Sequence, residues 1–85
     1  MIKREASIGG NFEAIDTLLA SGDWVVGKNS PKTVIYIGVG GDLVVLGKED
    51  EADVTFTGLQ PGYHLLDVQA IRQTGTTATG IIVIR

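Results

Sequence analysis

The 85-residue chain contains no cysteine and a single histidine, His64. Disulfides and cysteine-based metal sites are therefore excluded, and no multi-histidine metal centre can form within one chain. Basic residues are few and scattered: Lys3, Arg4, Lys28, Lys32, Lys48, Arg72 and Arg85, seven against ten acidic residues. Nucleic-acid binding needs a basic patch or stripe, so no nucleic-acid partner is expected. No run approaches the roughly 20 apolar residues of a membrane-spanning helix. The opening MIKREASIGG lacks the apolar stretch of a secretory leader. The expectation is a soluble protein made in the cytoplasm, with no membrane partner. Aromatics number five: Phe12, Trp24, Tyr36, Phe56 and Tyr63.

What is present is β-forming. Apolar residues make up 44% of the chain, which fits a globular domain. β-Branched residues are dense in the second half and are punctuated by Gly and Thr, the pattern of strands joined by tight turns. Residues 33–39, TVIYIGV, read as a strand with both faces apolar: Ile35, Ile37 and Val39 on one, Val34 and Tyr36 on the other. Gly40-Gly41 supplies the flexible pair of a hairpin turn into residues 42–47. Residues 48–53, KEDEAD, form a charged turn, and residues 54–58 alternate, with Val54 and Phe56 inward. Pro61-Gly62 is the central pair of a turn into a long strand over residues 63–72. Residues 79–85 close the set, with Ile81 and Val83 on one face and Ile82 and Ile84 on the other. Five strands with short connections predict an all-β fold, a small antiparallel sandwich or barrel-like meander. Residues 1–22 are expected to be an N-terminal arm with a short helix or irregular segment over 11–20, and residues 23–85 a single β-domain.

No catalytic constellation emerges. IGVGGDL has glycines at the first and third positions of a dinucleotide fingerprint but Leu43 at the sixth, and β-prone residues follow in place of a helix. Glu49, Asp50, Glu51 and Asp53 lack the glycine and ligand spacing of a calcium loop, so they read as a solvated turn. His64 has no nucleophile to serve. Asp16 with Asp23, or Glu13 with Asp16, would need a sugar-positioning cleft to act as a glycosidase pair. No cofactor or metal is expected. The string TGTTATG, residues 74–80, reads as a close-packed connection, with ligand contact through its hydroxyls as the rival. Phe12 and Trp24 are either core rings or contacts to another subunit.

Three stretches together carry a resemblance: VIYIGVGGDLVV (34–45), VTFTGLQPGYHLLDVQAI (54–71) and TGTTATGIIVIR (74–85). In this order they are similar to small head-spike base proteins of bacteriophages and gene-transfer agents, and the Gly-Thr-Thr-Ala-Thr-Gly string is the most specific part. FEAIDTLLASGDW, in the N-terminal third, has no counterpart in that pattern. The resemblance implies a non-enzymatic virion protein: an oligomeric β-rich base at a capsid vertex that carries a spike or fibre. It implies no catalytic residues. The implied partners are other copies of the chain, the major capsid protein or another virion protein, and a spike or fibre protein, with the virion as location. A capsid cement or decoration protein, or a tail-associated receptor- or carbohydrate-binding module, is the alternative.

Size points the same way. A chain this short buries only ~60% of its unfolded surface, and small unstapled domains often lean on oligomerisation. Strands that are apolar on both sides exceed what such a core can hide. Tyr36, Ile81 and Val83 are the expected contacts to another subunit, with Phe12 and Trp24 as anchors of the N-terminal segment on a neighbour.

Overall fold

The computed structural model describes residues 10–85. Eight strands and one helical turn are present among them, in the order β1 (Phe12–Ala14), α1 (Asp16–Leu19), β2 (Trp24–Val25), β3 (Val34–Ile37), β4 (Gly41–Gly47), β5 (Val54–Leu59), β6 (Gly62–His64), β7 (Val68–Ile71) and β8 (Ile82–Ile84). They form two four-stranded antiparallel sheets, β1-β8-β3-β6 and β2-β7-β4-β5. The expected small all-β sandwich is what forms. Its core is mainly aliphatic, with Ile15, Ile35, Ile37, Leu43, Val45, Val68, Ile71, Ile81 and Val83 in one cluster with Trp24.

The connectivity differs from a meander. Consecutive strands from β3 to β8 alternate between sheets, except for the β4–β5 hairpin. Gly40-Gly41 is therefore not the tip of a β3–β4 hairpin but a crossing from one sheet to the other. Neither residue has a positive φ. What they provide is room: a Cβ on Gly40 would lie 2.6 Å from the Leu59 carbonyl oxygen, and one on Gly41 would lie 2.8 Å from the Ala78 nitrogen.

The expected long strand over residues 63–72 is also divided, into β6 and β7 in different sheets. The break is a tight turn in which Leu66 N–H donates to the His64 carbonyl. Threonine and lysine side chains hold it. Thr33 Oγ1 donates to the Leu66 carbonyl and accepts from Val68 N–H. The buried Lys48 ammonium bonds Asp67 and the carbonyls of Ser30 and Pro31. A buried ammonium left unpaired would be strongly destabilising, so this network fixes where the chain changes sheets.

Two bulges alter which residues point inward. Pairing of β4 with β7 runs Leu46 to Ala70, then Gly47 to Val68, so β7 carries an extra residue. Val68 and Ile71, three apart, both reach the core as a result. The second lies in β5, between Phe56 and Leu59, where Gly58 takes φ +66°.

The N-terminal boundary expected at residue 22 does not hold. β1 pairs with β8 across Phe12–Ile84, Glu13–Val83 and Ala14–Ile82. α1 is a single turn that sets Ile15 and Leu19 into the core. Residues 1–9, the rest of the expected arm, lie outside the described residues.

The TGTTATG string now has a structural account. It leaves β7 in one sheet, runs along the start of β4 and enters β8 in the other. Asp42 N–H donates to Thr77 Oγ1 at 2.9 Å and Val44 N–H to Thr76 Oγ1 at 3.0 Å. The N–H groups of Thr77 and Ala78 return bonds to the Asp42 carbonyl. Gly80, at φ +65°, sits so close to Gly38 that a Cβ there would be 3.0 Å from the Gly38 Cα. The hydroxyls of Thr76 and Thr77 thus serve the backbone, as the close-packing reading requires.

Candidate functional site

Strand parity assigns the two faces of the first sheet. Ile35, Ile37, Ile81 and Val83 point into the core, with Ile81 and Val83 only 1% and 0% exposed. The outward face is built of two rungs. Phe12, Ile84 and Val34 lie side by side on β1, β8 and β3. Ala14, Ile82, Tyr36 and Tyr63 form the second rung across β1, β8, β3 and β6. None of these seven side chains is charged.

At the centre is a shallow groove of about 360 Å³ lined by Phe12, Tyr36, Tyr63, Ile82 and Ile84. Phe12 and Tyr63 rise at its margins, each 68% exposed. Tyr63 meets Tyr36 edge to face, with ring centroids 5.1 Å apart, a favoured aromatic geometry. Large contiguous apolar patches on a small domain mark interaction surfaces.

The outer side of the second sheet contrasts with this face. Arg72 bonds both Asp53 and Asp23 there, and Thr55 and Thr57 are exposed. The Asp53 hydrogen bond, helped by the charges of Asp53 and Asp23 and opposed by slight burial, raises the Arg72 pKa above its ordinary value. Gln73 N–H also donates to Asp23 at 2.8 Å. This face carries ion pairs and hydroxyls among its aliphatic residues Val25, Val44 and Leu46.

Of the expected subunit contacts, Phe12 and Tyr36 are on the apolar face. Ile81 and Val83 are not, because β8 presents its even-numbered residues outward; Ile82 takes their place, while Ile84, 5% exposed, lies buried in the floor of the groove. Trp24 is 4% exposed and belongs to the core, with the Arg85 guanidinium 5.9 Å from its ring centroid. It cannot anchor a neighbour. Val34 and Tyr63 were missed by the sequence reading; Val34 follows once Tyr36 is placed outward, whereas Tyr63 joins the face only through the β3–β6 pairing.

The acidic residues weighed for catalysis have structural partners. Asp16 accepts from Gly80 N–H at 2.8 Å and Ile81 N–H at 3.1 Å, pinning α1 to the entry of β8. Glu13 pairs with Arg85 at 3.3 Å. Asp23 is held by Arg72 and Gln73, as above. His64 Nε2 lies 2.8 Å from the Gln60 carbonyl oxygen. Among the described residues no group of three or more His, Cys, Asp or Glu is placed to hold a metal ion, and none of their helices is long and apolar enough to cross a membrane.

Comparison with family models, curated proteins and solved structures finds no match for the chain.

Proposed function

We propose that this chain is a non-enzymatic structural protein of a bacteriophage-like particle, a β-rich base attached to the capsid that anchors a spike or fibre and works as an assembled subunit. The observation that carries this reading is the uncharged outward face of the β1-β8-β3-β6 sheet. That sheet already fills the core with Ile35, Ile37, Ile81 and Val83. It then presents Phe12, Tyr36, Tyr63 and Ile82 on its other side, where water is a poor partner for them. A protein surface of matching shape is the natural cover.

The same groove argues against a sugar ligand. Its lining supplies two phenol hydroxyls and otherwise hydrocarbon, whereas small-molecule sites combine apolar walls with converging polar groups. Asp16, Asp23 and Glu13 are engaged in holding the fold, which favours a structural role over a catalytic one. The order of TVIYIGVGGDL, VTFTG, PG and TGTTATG supports the head-spike base family in particular.

Electron microscopy of particles assembled with tagged protein tests the proposal. The tag is expected at a capsid vertex. A Phe12→Asp, Tyr63→Asp variant, folded by circular dichroism, is expected to be lost from the particles. Purified particles without the tagged chain, or full incorporation of the charged variant, would sink the reading.

A further inference from the structure

Of the four sheet edges, three are blunted by brevity: β1 and β6 have three residues each and β2 has two. The fourth, β5, has six, Val-Thr-Phe-Thr-Gly-Leu. It contains none of the lysines or prolines that commonly protect an edge. Among the described residues its backbone makes no backbone hydrogen bond beyond its pairing with β4.

The direction of its free groups follows from its neighbour. Val44 donates its N–H to Thr76 Oγ1 and accepts at its carbonyl from Arg72 N–H. Both of its backbone groups therefore point toward β7. Val44 faces Thr55 in the register, so these two are a non-hydrogen-bonded pair. Thr55 consequently projects its own N–H and C=O outward, away from the sheet.

A second observation lies on the same side of the molecule. Between β5 and the β6–β7 link the sandwich opens into a cleft of about 210 Å³, with Val54, Phe56, Leu65 and Leu66 on its walls and Asp50 and Asp67 also lining it. Leu65 is 86% exposed, the most exposed large apolar side chain among the described residues. A ready edge and an uncovered, mainly apolar cleft coincide.

We infer that β5 pairs antiparallel with β5 of a second copy of this chain, joining two four-stranded sheets into one across a two-fold axis. This deepens the reading of the chain as an assembly subunit and rests on it. Charge permits a second copy in one direction only. Glu49, Asp50, Glu51 and Asp53 crowd the start of β5, while residues 59–63 after it carry no charge. Antiparallel self-pairing lays each acidic turn beside the other copy's uncharged end. Parallel pairing would stack the two acidic turns, which like-charge repulsion opposes. The bulge at Gly58 confines pairing to residues 54–57 and, by twisting the edge, discourages open-ended stacking. The cleft borders β5 on its inner side, so the same two-fold would set the two clefts and their Leu65 rims beside the joined strands, the self-complementary geometry of the commonest oligomers.

Sedimentation velocity of the full chain over a wide concentration range tests this. The wild type is expected as a two-chain species. Thr55→Pro removes an outward N–H that no described group uses, and Leu65→Lys charges the rim of the cleft without touching the core. Each is expected to halve the mass and leave the circular dichroism unchanged, while Phe12→Asp, on the other surface, remains two-chain. A wild type that stays single-chain throughout, or a two-chain species that survives both edge variants, overturns the inference. An oligomer broken by Phe12→Asp alone also overturns it but leaves the particle reading intact. A Thr55-sensitive dimer that never enters particles upholds the edge contact and sinks the particle reading instead.

Discussion

Where β1 and β2 form the edges, the two sheets are tied together. Trp24, Ile15 and Leu19 fill the gap, Arg85 lies over the indole, and Glu13 holds Arg85. Where β5 and β6 form the edges, Val54, Phe56 and Leu65 line an open cleft. The connections explain the difference. β1 reaches β2 through residues 15–23, long enough to fold a helical turn into the gap. β5 reaches β6 through residues 60–61 alone, which leaves nothing to serve as a plug. The described residues close one side, and the second copy proposed above would cover the other. The closed side therefore supplies stability to the single chain, and substitutions on the open side should act on association.

The largest effect is expected at Trp24. Trp24→Ala removes the central ring of the closed side and leaves a cavity under Arg85, so unfolding should become easier by about 3–5 kcal/mol. A urea midpoint that barely moves, with unchanged slope, would mean that the indole does not join the sheets. Asp16→Ala comes next. It leaves Gly80 N–H and Ile81 N–H without their acceptor and loosens α1 from β8, for a loss of about 1–2 kcal/mol because the site is partly solvated. Amide exchange at Gly80 and Ile81 should accelerate in this variant, and protection equal to wild type would count against the latch.

The strands were legible in the sequence because β-branched residues alternate there, and that was sufficient for an all-β sandwich. The sheet to which each strand belongs was less legible. Gly40-Gly41 has the composition of a hairpin turn, but its glycines serve close approach to Leu59 and Ala78, a long-range fact that no local pattern carries. The switch at Leu65 has no glycine or proline to announce it. It depends on Thr33 and Lys48, distant in sequence. All four residues from Ile81, just before β8, to Ile84 are aliphatic, so alternation alone cannot choose a face. The choice is made by the bond from Ile15 N–H to the Ile81 carbonyl and by Asp16 beside it. Trp24 in turn needed a view of the closed side to be separated from Phe12, which looks equivalent in sequence and lies exposed at the groove margin on the outer face.

A smaller effect on the closed side sharpens the comparison further. Glu13→Gln breaks a partly exposed ion pair with Arg85, for which ~0.2–1 kcal/mol is expected. Double-mutant analysis with Arg85→Met should return a coupling of that size. A larger coupling would make the ion pair, rather than the indole, the main fastening on this side.

The smallest effect on the single chain should come from the open side. Leu65 is almost wholly in water, so Leu65→Ser removes little packing, and the unfolding free energy measured at high dilution should change by no more than about 0.5 kcal/mol. At high concentration the outcome separates from that at dilution. If the cleft is covered by a second copy, wild-type stability rises with protein concentration because association draws on the folded state alone, and Leu65→Ser flattens that rise. Equal concentration dependence in both proteins would show that the leucine stays in water even when chains meet. The cleft would then be an unfilled end of the core, and the contrast between the two sides would reflect loop length without any consequence for assembly.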